Sequence, residues 1–118
     1  MTDPIILIVE DDAALLASLA WSFEMEGFHV RPYHDSESLL AEEALPEHGC
    51  MIIDYRLPAL NGLELLERLR GRGCHLPALL ITTPAPGVVR DARAAGIPLV
   101  EKPLVGGVLL KEVRSLIN

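Results

Sequence analysis

The sequence has 118 residues, half of them apolar, so it is long enough for one domain with its own hydrophobic core. Its net charge of −7 argues against non-specific binding to nucleic acid, which requires a basic surface. No apolar stretch approaches the about 20 residues of a membrane-spanning helix, and the N-terminus lacks the basic segment of a signal peptide. We therefore expect a cytoplasmic domain that binds neither nucleic acid nor a membrane directly.

Continuous apolar runs alternate with segments of helical periodicity five times along the chain. In chain order, the predicted strands cover about 5–9, 29–33, 50–53, 78–82 and 99–100, and the predicted helices cover about 13–26, 37–45, 63–70, 88–95 and 105–117. Ser36 is the predicted N-cap of the second helix. Leu63, Leu66 and either Leu69 or Arg70 are the predicted core contacts of the third. The fourth helix is predicted to be weak because prolines and a glycine precede it.

Strands that alternate with helices favour a doubly wound parallel sheet with right-handed crossovers and helices on both faces. In such a sheet, ligands bind outside the carboxyl ends of the strands. Glu10 and Asp11 follow the first predicted strand, and Asp54 follows the third. Thr82 ends the fourth strand and Lys102 follows the fifth. We therefore expect three acids, a hydroxyl and a lysine to meet at one rim of the sheet.

Three carboxylates at one rim are typical of a site for a hard divalent cation, Mg²⁺ or Mn²⁺. Glu10, Asp11 and Asp54, together with the backbone carbonyl of Arg56, would supply oxygen ligands without filling an octahedral shell. A coordination position would remain for a phosphoryl oxygen. Asp54 could then attack a phosphorus centre as a nucleophile while the cation balances the negative charge that develops.

Lys102 would supply a cationic partner for the transferred group, and the Thr82 hydroxyl would donate a hydrogen bond to it. Each residue also has a simpler explanation. Acids after a strand often begin a helix, the role we expect for Asp12. Asp54 could be a turn residue, Thr82 a loop cap and Lys102 a solvated surface charge. Their joint placement at successive strand ends favours the functional interpretation.

Four segments together resemble the motifs of the response-regulator receiver domain of two-component signalling, in the CheY-like superfamily. They are Ile-Val-Glu-Asp-Asp at 8–12, Asp-Tyr-Arg-Leu-Pro at 54–58 with Asn-Gly at 61–62, the strand at 77–82, and Glu-Lys-Pro at 101–103. Met-Glu-Gly-Phe at 25–28 is similar to FixJ-type receivers. The resemblance covers essentially the whole chain, so we expect one receiver domain over residues 1–118.

The resemblance implies a flavodoxin-like α/β fold with strand order 2-1-3-4-5. It implies that Asp54 is the phosphoacceptor, that Glu10 and Asp11 hold Mg²⁺, and that Thr82 and Lys102 contact the phosphoryl group. The implied donor is a histidine kinase or a histidine phosphotransfer protein. The implied output is a downstream protein or a fused output domain, with a possible phosphorylation-dependent homodimer. Such a domain would catalyse only its own Mg²⁺-dependent phosphorylation and dephosphorylation.

The sequence departs from the family pattern on the output side of the site. The position three before the lysine, usually aromatic, is Leu99, and the usually small residue after the switch hydroxyl is Thr83. The stretch between Thr82 and Lys102 is short and rich in proline. We therefore expect segment 83–96, rather than an aromatic ring, to change most on phosphorylation.

Three alternatives remain open from the sequence. A receiver could be degenerate and act as a constitutive binding module, although the intact set of acids, hydroxyl and lysine disfavours this. A receiver with working chemistry could instead act as a phosphate sink without an output of its own. A phosphatase of the haloacid-dehalogenase type also uses a strand-end aspartate with Mg²⁺. Those enzymes usually carry a second acid two residues later, where this chain has Arg56.

Overall fold

Five strands and five helices alternate strictly along the chain in a computed structural model that describes residues 3–104 and 106–117. The elements are β1 (Ile5–Val9), α1 (Ala13–Met25), β2 (His29–Tyr33), α2 (Ser36–Leu40), β3 (Gly49–Asp54), α3 (Gly62–Gly71), β4 (Ala78–Thr82), α4 (Pro86–Ala95), β5 (Leu99–Glu101) and α5 (Val108–Ile117). No helix of this described part is long and apolar enough to span a bilayer.

All strand pairs are parallel, and the sheet order is β2-β1-β3-β4-β5, as expected. The register aligns the carboxyl ends of the strands. Val9, the last residue of β1, lies beside Ile53 of β3, and Asp54 lies beside Ile81 of β4. Thr82 lies beside Glu101 of β5. Polar residues at or just beyond these ends therefore share one edge of the sheet.

The sheet is buried on both faces, which explains the continuous apolar runs of its central strands. Along β1, Ile6 and Ile8 pack on the face covered by α1 and α5. Leu7 and Val9 point the other way and pack on the face covered by α2, α3 and α4. This alternation follows from the two-residue period of a strand. The doubly wound architecture predicted from the sequence is confirmed.

The second helix differs from its prediction at both ends. Asp35, not Ser36, is the N-cap, and its carboxylate accepts a hydrogen bond of 2.7 Å from the backbone N–H of Ser38. The helix ends at Leu40, so Leu45 lies outside it, although its side chain still packs against the core. The guanidinium of Arg72 donates to the carbonyl of Leu40, the last residue of α2, and to the carbonyl of Glu42 just beyond it.

The predicted core contacts of α3 are confirmed but incomplete: Leu66 and Leu69 are buried and the half-buried Leu63 packs against the same core, while Leu65, which was not predicted, is also buried. The start of this helix is fixed by a capping box. The Asn61 side chain accepts from the N–H of Glu64, and the Glu64 side chain accepts from the N–H of Asn61.

The last two helices begin at different residues from those predicted. α4 starts at Pro86, because proline lacks the N–H that the first turn of a helix leaves unpaired anyway. α5 starts at Val108 rather than at 105. Gly106 has a φ of 63°, a left-handed conformation that delays the helix. Val105 itself lies outside the described residues.

Candidate functional site

Three acids meet at the carboxyl edge of the sheet. Glu10 and Asp11 come directly after β1, and Asp54 is the last residue of β3, the adjacent strand. One carboxylate oxygen from each lies within 4.8 Å of the others. Glu10 and Asp54 are buried, whereas Asp11 is exposed to solvent. The cluster is therefore fixed on the protein side and accessible on the solvent side.

Lys102 reaches this cluster from the loop after β5. Its Nζ donates to Oε1 of Glu10 at 3.0 Å and to Oδ2 of Asp54 at 3.4 Å. One ammonium group thus serves two carboxylates that have almost no contact with water, and Asp11 adds a third negative charge beside them. The cluster carries excess negative charge that a divalent cation would offset.

The pKa values of Glu10 and Lys102 are shifted by the burial and close spacing of these charged groups. Burial raises the pKa of Glu10, and its hydrogen bond with Asp54 acts in the same direction, against the opposing effect of Lys102. For Lys102, burial lowers the pKa, but the hydrogen bond to Glu10 and the charge of Asp54 outweigh burial and raise it overall. The ammonium of Lys102 therefore stays charged near neutral pH.

Backbone N–H groups orient the two buried carboxylates. The N–H of Asp12 donates to Oε2 of Glu10 at 3.2 Å, and the N–H of Arg56 donates to Oδ1 of Asp54 at 3.2 Å. Asp12 itself caps α1, since its side chain accepts from the N–H of Leu15 at 3.0 Å, as predicted. The donor role of these two N–H groups was not predicted, because a sequence shows side chains and not the turn that aims a backbone group.

Gly62 allows α3 to begin directly against the loop that follows Asp54. Its N–H donates to the carbonyl of Tyr55 at 2.8 Å. A Cβ atom at Gly62 would lie 2.7 Å from the backbone oxygen of Asp54 and 2.9 Å from the side chain of Leu80. Only glycine fits this close approach. The Asn-Gly pair in the sequence is the signal from which this contact could have been found.

Thr82 is at the rim but is not joined to the acids. It is fully buried, and its Oγ1 donates to the carbonyl of Thr83 at 3.1 Å. Its own carbonyl accepts from the N–H of Lys102 at 2.7 Å, so the two residues are linked through the backbone. The structure thus brings Glu10, Asp11, Asp54 and Lys102 together and leaves the Thr82 hydroxyl turned to its own chain.

The donor set fits a hard divalent cation. All three acids offer carboxylate oxygens within reach of one ion, and the exposed position of Asp11 leaves a side on which water can remain. Mg²⁺ prefers such a partial set of oxygen ligands. Arg56 contacts Asp54 through its N–H, and a role for its carbonyl stays a prediction.

A parallel sheet in the order 2-1-3-4-5, with acids and a lysine at its carboxyl edge, defines a CheY-like signalling domain. Residues 6–114 match the family described as the response regulator receiver domain. The chain therefore belongs to the receiver domains of two-component response regulators. Domains of this family are generally not conventional enzymes. They bind Mg²⁺ through acidic residues and interact with histidine kinases and output domains.

Relatives of known identity agree with this assignment. The transcriptional regulatory protein FixJ of Bradyrhizobium diazoefficiens is 32% identical over 117 residues, an alignment that covers 96% of this chain and 56% of FixJ. Response regulator MprA of Mycobacterium tuberculosis is 33% identical over 121 residues, covering 96% of this chain and 50% of MprA. The chain thus spans about half the length of these curated relatives.

Solved structures confirm the fold. The crystal structure of FixJ-N superposes with a TM-score of 0.86 at 29% identity, covering 97% of this chain and 93% of that one. The FixJ-like character inferred from the sequence motifs is confirmed by these matches, as are the strand order and the membership of the receiver family.

Proposed function

We propose that residues 1–118 form a single receiver domain that accepts a phosphoryl group on Asp54 from a histidine kinase or a histidine phosphotransfer protein. The geometry of Asp54 is the main support. Its carboxylate is buried, and its two oxygens are held by different donors, Oδ1 by the N–H of Arg56 and Oδ2 by Nζ of Lys102. The exposed side of the cluster, at Asp11, is where a phosphohistidine would approach.

The proposed transfer is a single displacement at phosphorus. An oxygen of Asp54 attacks the phosphorus atom of phosphohistidine, the P–N bond breaks as the new P–O bond forms, and the departing imidazole takes a proton from solvent. Glu10, Asp11, Asp54 and the carbonyl of Arg56 are the proposed Mg²⁺ ligands. Bound Mg²⁺ supplies charge neutralisation for the phosphoryl oxygens.

After transfer, the side chains of Lys102 and Thr82 would contact the phosphoryl group on Asp54. Nζ of Lys102 already lies 3.4 Å from Asp54 and needs only a small displacement to pair with a phosphoryl oxygen. The Thr82 hydroxyl would have to leave the carbonyl of Thr83 and rotate toward the same group. This rotation is the proposed first step of the conformational change, because it exchanges a local hydrogen bond for a charge-assisted one.

We propose that the output is a change in protein–protein contacts, through a downstream protein or an output domain. Curated relatives about twice as long as this chain, one of them named a transcriptional regulator, support the second possibility. A homodimer that forms on phosphorylation is a further proposed route. The proposed setting is the cytoplasm, without direct contact with nucleic acid or a membrane. The only reactions proposed for the domain itself are its Mg²⁺-dependent phosphorylation and dephosphorylation.

Intact-mass spectrometry after incubation with Mg²⁺ and acetyl phosphate tests the proposal. The wild-type protein should gain one phosphoryl group, whereas Asp54→Asn should gain none. Omission of Mg²⁺ with a chelator present should abolish the gain. Asp11→Asn should retain its fold but label much more slowly. Equal labelling of wild type and Asp54→Asn would show that another residue accepts the group.

A further inference from the structure

A groove between α3 and α4 lies beside the loop 55–61 that joins β3 to α3. It encloses about 620 Å³ and is lined along its length by apolar side chains. Leu63 and Leu66 come from α3, Ala94 and Ala95 from α4, and Ile97 from the turn after α4. The two alanines leave room for the close approach of another backbone. Because each helix has ten residues, the groove is about 15 Å long, enough for about three turns of a docked helix.

Most of the charged side chains that line this groove are acidic. Glu64 and Glu67 of α3 and Asp91 of α4 line it, whereas Arg68 of α3 and both arginines of α4 are not among the lining residues. Nε of Arg90 lies 3.8 Å from Asp91, an exposed pair in which water screens the attraction. The one cation in its wall, Arg70, donates to the carbonyls of Cys74 and Leu76 and keeps its positive charge, so the three acids still leave the lining with a net negative charge. The groove therefore combines an apolar floor with an acidic rim.

We propose that this groove docks a basic amphipathic helix of a partner protein. Leucine-like side chains would pack on the half-buried Leu63 and Ile97, and lysines or arginines flanking them would face the acidic rim. A helix lying in a groove between two helices is a recurrent mode of peptide recognition, with anchors at i, i+3, i+4 and i+7. A second copy of this chain fits this groove less well than a basic helix, because a molecule with a net charge of −7 is a poor complement to an acidic rim.

The inference rests on the groove alone and not on phosphorylation of Asp54. The groove is nevertheless adjacent to Asp54, since Tyr55 lines the groove and directly follows Asp54 in the chain. The backbone of Tyr55 is held by the carbonyl of Ile81 at 2.9 Å and by the N–H of Gly62 at 2.8 Å. A docked helix would thus contact a residue fixed to both β4 and α3.

The test uses a designed probe, an amidated peptide of about 18 leucines and lysines in the amphipathic pattern. It is titrated into the ¹⁵N-labelled full chain and followed by NMR. Saturating Mg²⁺ is present throughout, so that the acidic cluster at Glu10 does not attract the probe. We expect chemical-shift changes centred on residues 63–67 and 91–97. A peptide of the same pattern with glutamate in place of lysine should not bind.

Matched variants separate the groove from overall charge. Glu67→Lys/Asp91→Lys should weaken binding at least about tenfold, because it reverses two rim charges. Glu43→Lys/Glu47→Lys makes the same change in net charge at two exposed residues that line a different cavity, and should alter binding less than about twofold. If the double reversal impairs folding, Glu67→Gln/Asp91→Asn replaces it, with a loss of at least about threefold expected.

Three outcomes would overturn the proposal. The first is shift changes centred outside the groove. The second is equal weakening by the groove and control variants, which would mean that only net charge matters. The third is shift changes in residues 63–67 and 91–97 that depend on protein concentration without peptide, which would make a second copy the occupant.

Discussion

Replacing Lys102 by methionine should destabilise the protein in the absence of Mg²⁺. The ammonium of Lys102 is the one side-chain cation within hydrogen-bond distance of Glu10 and Asp54 in the described part of the chain, and both carboxylates are almost fully buried. Removal of one partner from a buried ion pair typically costs about 3–5 kcal/mol, because the other charge is left uncompensated. Lys102 is 23% exposed, so water can partly replace it, and we expect about 2–3 kcal/mol.

For a chain of this size, that loss corresponds to a fall in Tm of about 10 °C. Thermal unfolding followed by circular dichroism in a chelating buffer would measure it. Lys111→Met removes an exposed lysine of α5 and should change stability by less than about 0.5 kcal/mol. Mg²⁺ should raise the Tm of Lys102→Met more than that of wild type, because the cation supplies the missing positive charge. A Lys102→Met protein as stable as Lys111→Met without Mg²⁺ would refute this account of the cluster.

Three further outcomes are expected. Asp11→Ala should abolish the rise in Tm that Mg²⁺ causes in wild type by mass action, and an undiminished rise would place the cation elsewhere. Gly62→Ala should cost about 1–3 kcal/mol in chemical denaturation, since its methyl group would lie 2.7 Å from a backbone oxygen. The control Gly71→Ala, with nothing within 4 Å, should be neutral or stabilising. Hydrogen-exchange mass spectrometry with a beryllofluoride mimic should show the largest change in segment 83–96. An unchanged segment beside a large change in α1 or α5 would contradict that prediction.

Most of the architecture could be predicted from the sequence because the sheet is buried on both faces. A central strand then reads as an uninterrupted apolar run, and the residue that ends the run marks the edge of the sheet. Asp54 illustrates this, since it follows four apolar residues and proves to be the last residue of β3. The parallel topology then places the acids that follow β1 at the same edge, and the strand order implied by the family resemblance makes β1 and β3 neighbours.

Local boundaries were harder to predict because they depend on competing caps. Asp35 and Ser36 are both good N-cap residues, and the choice between them is made by backbone geometry: Asp35 is extended, so its carboxylate can reach the N–H of Ser38. At the end of α2, the carbonyls of Leu40 and Glu42 accept from the side chain of Arg72, which is 32 and 30 residues away. Contacts between residues so distant in sequence leave no local pattern.

The attachment of α4 gives the physical reason to expect segment 83–96 to move. α3 begins with a capping box and buries four residues, including three leucines. α4 has no side-chain hydrogen bond at its N-cap, Ala85, and buries only Val88 and Ala92. Fewer apolar contacts and an uncapped first turn lower the free energy needed to shift a helix. This segment also follows Thr82 directly, so rotation of the buried hydroxyl would displace a helix that has no side-chain cap and buries only two residues.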